Sequence, residues 1–423
     1  MKRKALIGLI VLALLLVPLF SIACEAEEEP PTNGEPPTNG EPPEPETLRI
    51  GILQNQGSVV GVDCINTIML AGDIDNQNGG LTIGGVKYMI EFVVYDTGQT
   101  TDSEVAALEK MVYEDNLKFI IEGGGANSAV CPPITEPNEV ILFTASLVIP
   151  EWDPAWQYTF DGSATNASYG IPIGWFCNEY PDLVQDVLFV HADDQISNML
   201  TFMFTGLFGA FGVVPEELTY PADLTDVSSV GTKIAELNPG VLHANDYSPV
   251  GIGRVIDAAR NAGYTGLAFS CAAGASDAIA ASFSPAAMDG YINGAFTTDF
   301  EPPLNQMAID FKEAWIAEYG SWTSPSQFSL SNYYCLRTAL QNAGSIDPDE
   351  VAAVLASGMT YDSPAGPMQM VSRPDRGITR TVDSVATCYI KQMTSDGQAN
   401  LIATVELDEA INYYLDVLQP PTQ

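Results

Sequence analysis

Hydrophobic positions follow two different periods along the chain from residue 48 onward. Short apolar runs such as LRIGIL, FIIEGG and VLFVHAD are typical of buried strands. Between them lie longer segments with apolar residues every three or four positions, which is typical of amphipathic helices. In DSEVAALEKMVYED, for example, Val105, Leu108 and Val112 fall on one helical face. The pattern predicts successive strand–helix units over most of the chain.

These strand–helix units form two series, and the second begins past residue 160. The chain then ends in SVATCYIKQM and ANLIATVEL, which we expect to be two strands of a hairpin. Strands that alternate with helices predict an α/β fold, in which a parallel sheet has both faces covered. Two such series predict two lobes. Because open parallel sheets bind ligands beyond the carboxyl ends of their strands, the loops after each strand are the candidate site.

The N-terminus has a different character. Lys2-Arg3-Lys4 precedes an apolar run over residues 5–23 that contains no charge, and Ser21-Ile22-Ala23-Cys24 closes it. This order predicts an export signal over residues 1–23. The last four residues resemble the lipobox of bacterial lipoproteins, although such motifs usually have Leu where this chain has Ser21. The resemblance implies that Cys24 is lipidated, and the alternative is an uncleaved membrane anchor.

Residues 24–47 are predicted to be a disordered tether. The hexapeptide PPTNGE occurs twice there, and no apolar residue larger than Ala is present after Cys24. Such a segment cannot bury enough apolar surface to offset the entropy of ordering it. Proline pairs and glutamate repulsion favour an extended chain, which at ~3.1 Å per residue would reach about 70 Å. A spacer of this length would lift a folded domain away from a membrane.

Composition and charge narrow the class of protein. With 423 residues, 46% of them hydrophobic, the chain can form two ordinary cores. It has 54 acidic and 16 basic residues, for a net charge of −38. This field disfavours nucleic acid and anionic membrane surfaces as partners.

Catalytic chemistry finds little support in the sequence. No GxSxG, HExxH, CxxC or Walker motif occurs, and the only histidines are His191 and His243. We therefore expect no enzyme activity, no cofactor and no metal site. Besides Cys24 there are six cysteines, an even number that would allow fifteen pairings. Because most of them lie in apolar segments, we expect mostly free thiols.

A family resemblance comes from several segments in order, from LRIGILQNQG and GDIDNQNGGLTIGG through KYMIEFVVYDTGQ to YDSPAGPMQM. Their order and spacing over residues 48–410 resemble the type I periplasmic binding proteins of ABC transporters. The branched-chain amino-acid binding proteins are the nearest group. The resemblance implies a two-lobed α/β fold, each lobe a parallel-rich sheet flanked by helices. It also implies three hinge crossovers, near Phe160, near Thr297 and between Val371 and Val382.

The same resemblance divides the chain into an N-lobe, residues 48–159 plus 298–375, and a C-lobe, residues 160–297 plus 376–418. It implies an extracytoplasmic protein, held at the membrane through a lipid on Cys24, that delivers a small solute to the permease and ATPase subunits of an importer. A sensor domain of the same fold, working with a separate signalling partner, is the alternative.

Two N-lobe loops are candidate ligand contacts. The loop EGGGANSAVCPP follows a strand and opens a helix, and its small residues would let a ligand approach backbone N–H groups. By resemblance this loop holds the ligand carboxylate, with Ala126 where the family usually has Ser, followed by Asn127 and Ser128. The second loop supplies Thr144, Ala145 and Ser146. The alternative is that these residues only cap a helix or satisfy their own loop.

In the C-lobe, the resemblance implies that Tyr247 and Ala273 line the cleft, and Phe328 would line it from the N-lobe; ordinary packing is the alternative for both aromatic residues. Amino-acid binders carry an acid in the loop after the TGLAFS-type strand, and here Cys271-Ala272-Ala273-Gly274 offers none. The available substitutes are Asp193, Asp194, Asp246 and Asp277. We therefore predict a ligand with an anionic or amide head and a neutral or aromatic body, rather than a branched-chain amino acid.

Overall fold

The computed structural model describes residues 44–98, 100–122, 128–145, 152–245, 249–271, 282–295, 305–323 and 325–418. Its strands are β1 (Glu46–Gln54), β2 (Leu81–Ile83), β3 (Val86–Asp96), β4 (Phe119–Glu122), β5 (Ile141–Phe143), β6 (Thr159–Phe160), β7 (Val187–Asp193), β8 (Glu216–Pro221), β9 (Val241–Ala244), β10 (Leu267–Ser270), β11 (Ile292–Ala295), β12 (Thr360–Ser363), β13 (Gly366–Arg373), β14 (Ile378–Ala386), β15 (Cys388–Met393) and β16 (Ala399–Val405). Its α-helices are α1 (Val59–Gln77), α2 (Thr101–Glu109), α3 (Pro132–Thr135), α4 (Ala167–Glu179), α5 (Gln195–Gly209), α6 (Ser228–Leu237), α7 (Pro249–Asn261), α8 (Pro285–Met288), α9 (Gln306–Tyr319), α10 (Gln327–Ala343), α11 (Pro348–Leu355) and α12 (Leu407–Leu418). The predicted alternation of strands and helices is confirmed.

Local sequence signals define several helix ends. The Ser58 hydroxyl accepts a hydrogen bond from Gly61 N at the start of α1, and Asp194 does the same for Ser197 N at the start of α5. Helices α9 and α10 end at Gly320 and Gly344, both with left-handed backbone angles that glycine adopts without strain.

The first sheet has the strand order β2-β3-β1-β4-β5-β6, and β1, β3, β4, β5 and β6 are mutually parallel. Both of its faces are covered. On β1, Ile52 belongs to the main core, whereas Leu53 belongs to a separate core with Leu108 and Met111. This explains why the strands are apolar runs rather than alternating patterns.

The second sheet has the order β16-β15-β11-β10-β9-β7-β8. Strands β7 to β11 are parallel, and β15 and β16 form an antiparallel hairpin at one edge. The hairpin was predicted, but SVATCYIKQM is not one strand. Its first part ends β14 at Ala386 and its second begins β15 at Cys388. The chain changes sheets at the buried Thr387, and a continuous apolar run hides such a change.

A third, antiparallel sheet, β12-β13-β14, and the last helix, α12, were not predicted from the sequence. The sheet lies beside the end of β6, where Asp161 N donates to Val382 O at 2.7 Å. Helix α12 packs on α4 and on β13 and β14. Its buried Tyr414 donates to Asp383 Oδ2 at 2.5 Å, and Arg373 pairs with the same oxygen at 3.0 Å. The third sheet is thus fixed by a buried charged network.

Candidate functional site

The carboxyl edge of the first sheet brings three polar side chains together. Strands β1 and β4 end at Gln54 and Glu122, and Thr144 directly follows β5. Leu53 is paired with Glu122 and Ile121 with Phe143, so neighbouring strands end at the same level. All three polar side chains are buried, with exposed fractions of 6%, 3% and 4%. This is the edge at which ligands bind in open parallel sheets.

A chain of hydrogen bonds runs along this edge. Thr144 Oγ1 donates to Glu122 Oε2 at 3.1 Å. Asn332, which α10 contributes, donates from Nδ2 to Thr144 O at 3.2 Å and accepts at Oδ1 from Gly162 N at 2.8 Å. The ends of β4 and β5 and the segment after β6 are therefore tied to one buried helix, which fixes the wall of the candidate site.

Helices α1 and α10 contribute acids and hydroxyls to the same region. Ser326 N donates to Asp63 Oδ2 at 2.8 Å, and burial raises the pKa of Asp63. Burial also raises the pKa of the Cys64 thiol, hydrogen bonds from Ser326 and Ser329 lower it, and the charges of Asp63 and Glu122 raise it further. The charges of two carboxylates therefore act on one buried thiol near the start of α1.

The side-chain amide nitrogen of Gln54 is a further polar atom at this edge. Its Nε2 atom is buried, and it has no hydrogen-bond partner within the part of the chain that the structure describes. A buried amide without a partner costs free energy, so such a group calls for an explanation. A ligand that accepts a hydrogen bond there would supply one.

At the carboxyl edge of the second sheet, two acidic side chains accept hydrogen bonds from the helix that follows β7. Asp194 accepts hydrogen bonds from Ser197 N at 2.8 Å and from Ser197 Oγ at 2.9 Å, so it caps α5. The exposed Asp193 accepts from Asn198 Nδ2 at 3.1 Å. Two of the acids that could replace the missing family carboxylate are thus bound to their own helix. Asp246 and Asp277 lie outside the described residues.

Both histidines lie in strands, His191 in β7 and His243 in β9. His243 is surrounded by four Phe rings at centroid distances of 4.9–5.7 Å, from Phe189, Phe204, Phe208 and Phe269. Burial lowers its pKa to about 4. Its Nδ1 contacts Asn245 Oδ1, and Asn245 in turn donates to Thr201 Oγ1 at 3.3 Å. His191 contacts Ala192 O and Glu217 Oε1 at 2.9 and 2.8 Å.

Searches of the described residues add three findings. They contain no group of His, Cys, Asp and Glu side chains that could hold a metal ion. No helix among them is long and apolar enough to cross a membrane. Their cysteines are buried and form no disulfide with one another: Cys64, Cys131, Cys177, Cys271, Cys335 and Cys388.

Only some of the predicted site residues lie within the described part of the chain. Thr144 and Ala145 lie on the carboxyl edge of the first sheet, and Phe328 is half-buried near the start of α10, where it packs against the core. Of Ser128 the structure describes the backbone, which opens a 3₁₀ turn. The remaining predicted residues lie outside the described part of the chain: Cys24, Ala126, Asn127, Ser146, Tyr247 and Ala273. Their ligand roles stay predictions.

Sequence reasoning missed Gln54 and Glu122. A signal was present in both cases, because each polar residue ends an otherwise apolar strand, in RIGILQ and FIIE. A charge placed directly at the end of a buried strand of a parallel sheet lies where ligands bind.

Two parallel-rich sheets with polar carboxyl edges define a class of two-lobed α/β binding protein. The chain belongs to the periplasmic binding protein family, because a sequence model of that family matches residues 47–397. This confirms the resemblance and the fold class predicted from the sequence. A comparison of the sequence with curated proteins finds no match.

Solved structures share the fold at low sequence identity. A leucine-binding protein from Thermotoga maritima is 17% identical with a TM-score of 0.62, and the match covers 86% of this chain and 99% of the other. A solute-binding protein from Rhodopseudomonas palustris, in complex with 3,4-dihydroxybenzoic acid, is 20% identical with a TM-score of 0.64, over 85% and 98% of the two chains. A substrate-binding protein from Streptococcus pneumoniae, in complex with isoleucine, is 17% identical with a TM-score of 0.60, over 85% and 99%.

Proposed function

We propose that this protein captures a small polar solute between two lobes and delivers it to an ABC importer. The solute class is amino-acid-like, a carboxylate or an amide. The observation that carries the proposal is the family match over residues 47–397, which covers the parallel strands of both large sheets. The structures in complex with isoleucine and with 3,4-dihydroxybenzoic acid support this range of ligands. No enzyme activity is part of the proposal.

The lobes are proposed as residues 48–159 plus 298–375 and 160–297 plus 376–418. The first crossing is supported by β6, which ends at Phe160 in the first sheet, and by α4, which packs on strands β11 and β15 of the second. The crossing near Thr297 lies outside the described residues. The third crossing, between Val371 and Val382, falls in β13 and β14 of the third sheet. Ligand contacts are proposed at the nine positions given by the sequence, of which Thr144 and Ala145 lie on the described edge.

We also propose that the protein is extracytoplasmic and anchored to the membrane through a lipid on Cys24. Family membership supports the location, and the lipobox-like Ser21-Ile22-Ala23-Cys24 supports the anchor. Metabolic labelling with radioactive palmitate tests it. Wild type is expected to carry label and to fractionate with membranes, and Cys24→Ser to lose the label. An unlabelled wild type would contradict the anchor.

Solute binding is tested by thermal unfolding of the soluble form, residues 25–423, with a panel of amino acids, amines, carboxylates and amides. A true ligand at one hundred times its Kd stabilises the folded state by about 2.7 kcal/mol, which raises Tm. Calorimetric titration then gives the Kd. If no member of a broad panel raises Tm, the proposal is wrong.

The alternative function is a ligand-sensing domain that works with a separate signalling partner. The same fold and site serve both functions, so the binding assay does not separate them. Reconstitution of the protein with candidate permease and ATPase subunits of an importer does. Ligand-dependent ATPase activity in proteoliposomes supports import, whereas ligand-dependent stimulation of a kinase supports sensing.

A further inference from the structure

The strand ends of both sheets are acidic, and the sequence supplies almost no cation to balance them. No Lys or Arg occurs between Lys118 and Lys233, or between Arg260 and Lys312. These two intervals contain the segments that follow β4 to β7 and β10 to β11. Acids stand at or directly after several strand ends: Asp96, Glu122, Asp193 and Asp194. An anionic solute would meet negative charge at this edge and no positive side chain from these segments.

Glu122 is the acid best placed to contact a solute. It ends β4, which lies between β1 and β5 in the middle of the first sheet. Thr144 holds its carboxylate at 3.1 Å, and Asn332 holds Thr144 in turn, so the group is fixed before a ligand arrives. Its 3% exposure places the charge where little water screens it, which strengthens its interaction with an opposite charge.

Two acids at the carboxyl edge of the second sheet, Asp193 and Asp194, already accept hydrogen bonds from residues of α5. Asp194 caps α5 and Asp193 binds Asn198, whereas the charges of Asp63 and Glu122 both act on the Cys64 thiol near the start of α1. The buried Nε2 of Gln54, at the end of the neighbouring strand, has no hydrogen-bond partner among the described residues, which is an independent sign that this edge is built for a ligand. Such an amide donor fits a ligand that has an acceptor oxygen as well as an amine.

We infer that Glu122 determines specificity by selecting a solute that carries a protonated amine. This inference rests on the proposed function and narrows its solute class. Glu122 would contribute, from the N-lobe, the negative charge that the loop after β10 lacks. The same charge would repel the carboxylate head that the sequence predicts for the N-lobe loops. Glu122 would therefore favour a ligand that presents its amine to the N-lobe over one that presents its carboxylate there.

The experiment compares isosteric solutes of opposite charge. The probes are benzylamine and benzoate, 3-methylbutylamine and 4-methylpentanoate, and L-leucine and N-acetyl-L-leucine, titrated calorimetrically into wild type and into Glu122→Gln and Glu122→Asp variants. We expect amine-bearing probes to bind wild type more tightly than their partners. Glu122→Gln should weaken amine binding about 30-fold or more, because it removes one member of a buried charge pair. Glu122→Asp, which keeps the charge, should retain part of the affinity.

The control variant is Asp75→Asn. Asp75 is another buried N-lobe carboxylate, paired with Tyr333 and Arg337, but it lies near the opposite end of α1. Its loss should lower Tm and leave every Kd unchanged. Wild type that binds the carboxylates more tightly than the amines, or a Glu122→Gln variant that binds the amines as tightly as wild type does, would overturn the inference while the proposed function stands. Failure of every probe to bind wild type would reject both. If Glu122→Gln does not fold, the ranking of amines against carboxylates in wild type and Glu122→Asp decides.

Discussion

The carboxyl edges of the two parallel sheets carry similar residues in different roles. On the second sheet, Asp194 caps a helix, and Asn245 is held between His243 and Thr201. On the first sheet, Glu122 and Thr144 form a fixed pair. Each edge also has a buried nitrogen without a partner among the described residues: His243 Nε2 on the second, enclosed by Phe rings, and Gln54 Nε2 on the first, at the end of the strand that neighbours β4. The difference indicates which lobe contributes the polar recognition of a ligand.

The largest effect should come from pH acting on the second sheet. Burial among aromatic rings lowers the pKa of His243 to about 4, from an ordinary value near 6.5, so the folded state keeps the ring neutral. Below pH 6.5 the unfolded chain binds a proton that the folded protein does not. The free energy of unfolding should therefore fall as pH decreases from 6.5 to 4, by about 3 kcal/mol from this residue.

Urea unfolding at several pH values measures this loss, and His243→Phe is the control. Carboxylates also titrate in this range, so the quantity to compare is the difference in slope between wild type and variant. The variant should have the shallower slope. Equal slopes would show that His243 is not held neutral.

A matched pair of Thr→Val substitutions tests the comparison directly. Thr144 donates to Glu122 on the first sheet, and Thr201 accepts from Asn245 on the second. Each variant removes a buried hydroxyl without changing side-chain size much, and each should lower the free energy of unfolding by about 1–2 kcal/mol. Only Thr144→Val should also weaken solute binding in calorimetric titration. Equal effects of the two variants on Kd would remove the distinction between the edges.

The sequence predicts some secondary-structure elements of this protein and not others. Apolar periodicity was sufficient for both parallel sheets because buried strands and amphipathic helices have distinct periods. It was not sufficient at Thr387, where one apolar run belongs to two sheets, nor for α12, whose register depends on the buried contact between Tyr414 and Asp383. The pairing of Glu122 with Thr144 depends on strand order, which joins residues 22 positions apart. No local pattern contains that information.

A smaller effect is expected at the cap of α5. Asp194→Ala removes the side chain that accepts from Ser197 N and Oγ, and loss of such a cap typically costs about 1 kcal/mol. Because this acid is assigned to the helix and not to a ligand, Kd should not change. The neighbouring Asp193→Ala, which removes one exposed hydrogen bond, should cost less. A large loss of solute affinity in Asp194→Ala would instead place the recognising charge on the second sheet.

The smallest effect should have the opposite sign. Gln54 Nε2 is buried without a described partner, so Gln54→Leu removes a polar group that the ligand-free protein leaves unsatisfied. We expect the variant to raise the free energy of unfolding by up to about 1 kcal/mol in the absence of ligand, since burying an apolar group there carries no such penalty. The same change should weaken solute binding, because the ligand loses a donor at the carboxyl edge. Binding sites commonly show this exchange of stability for function.

Urea unfolding without ligand and calorimetric titration with it measure the two quantities on one sample. A variant that is less stable than wild type and binds equally well would show that Gln54 serves the fold, and the two edges would then be alike.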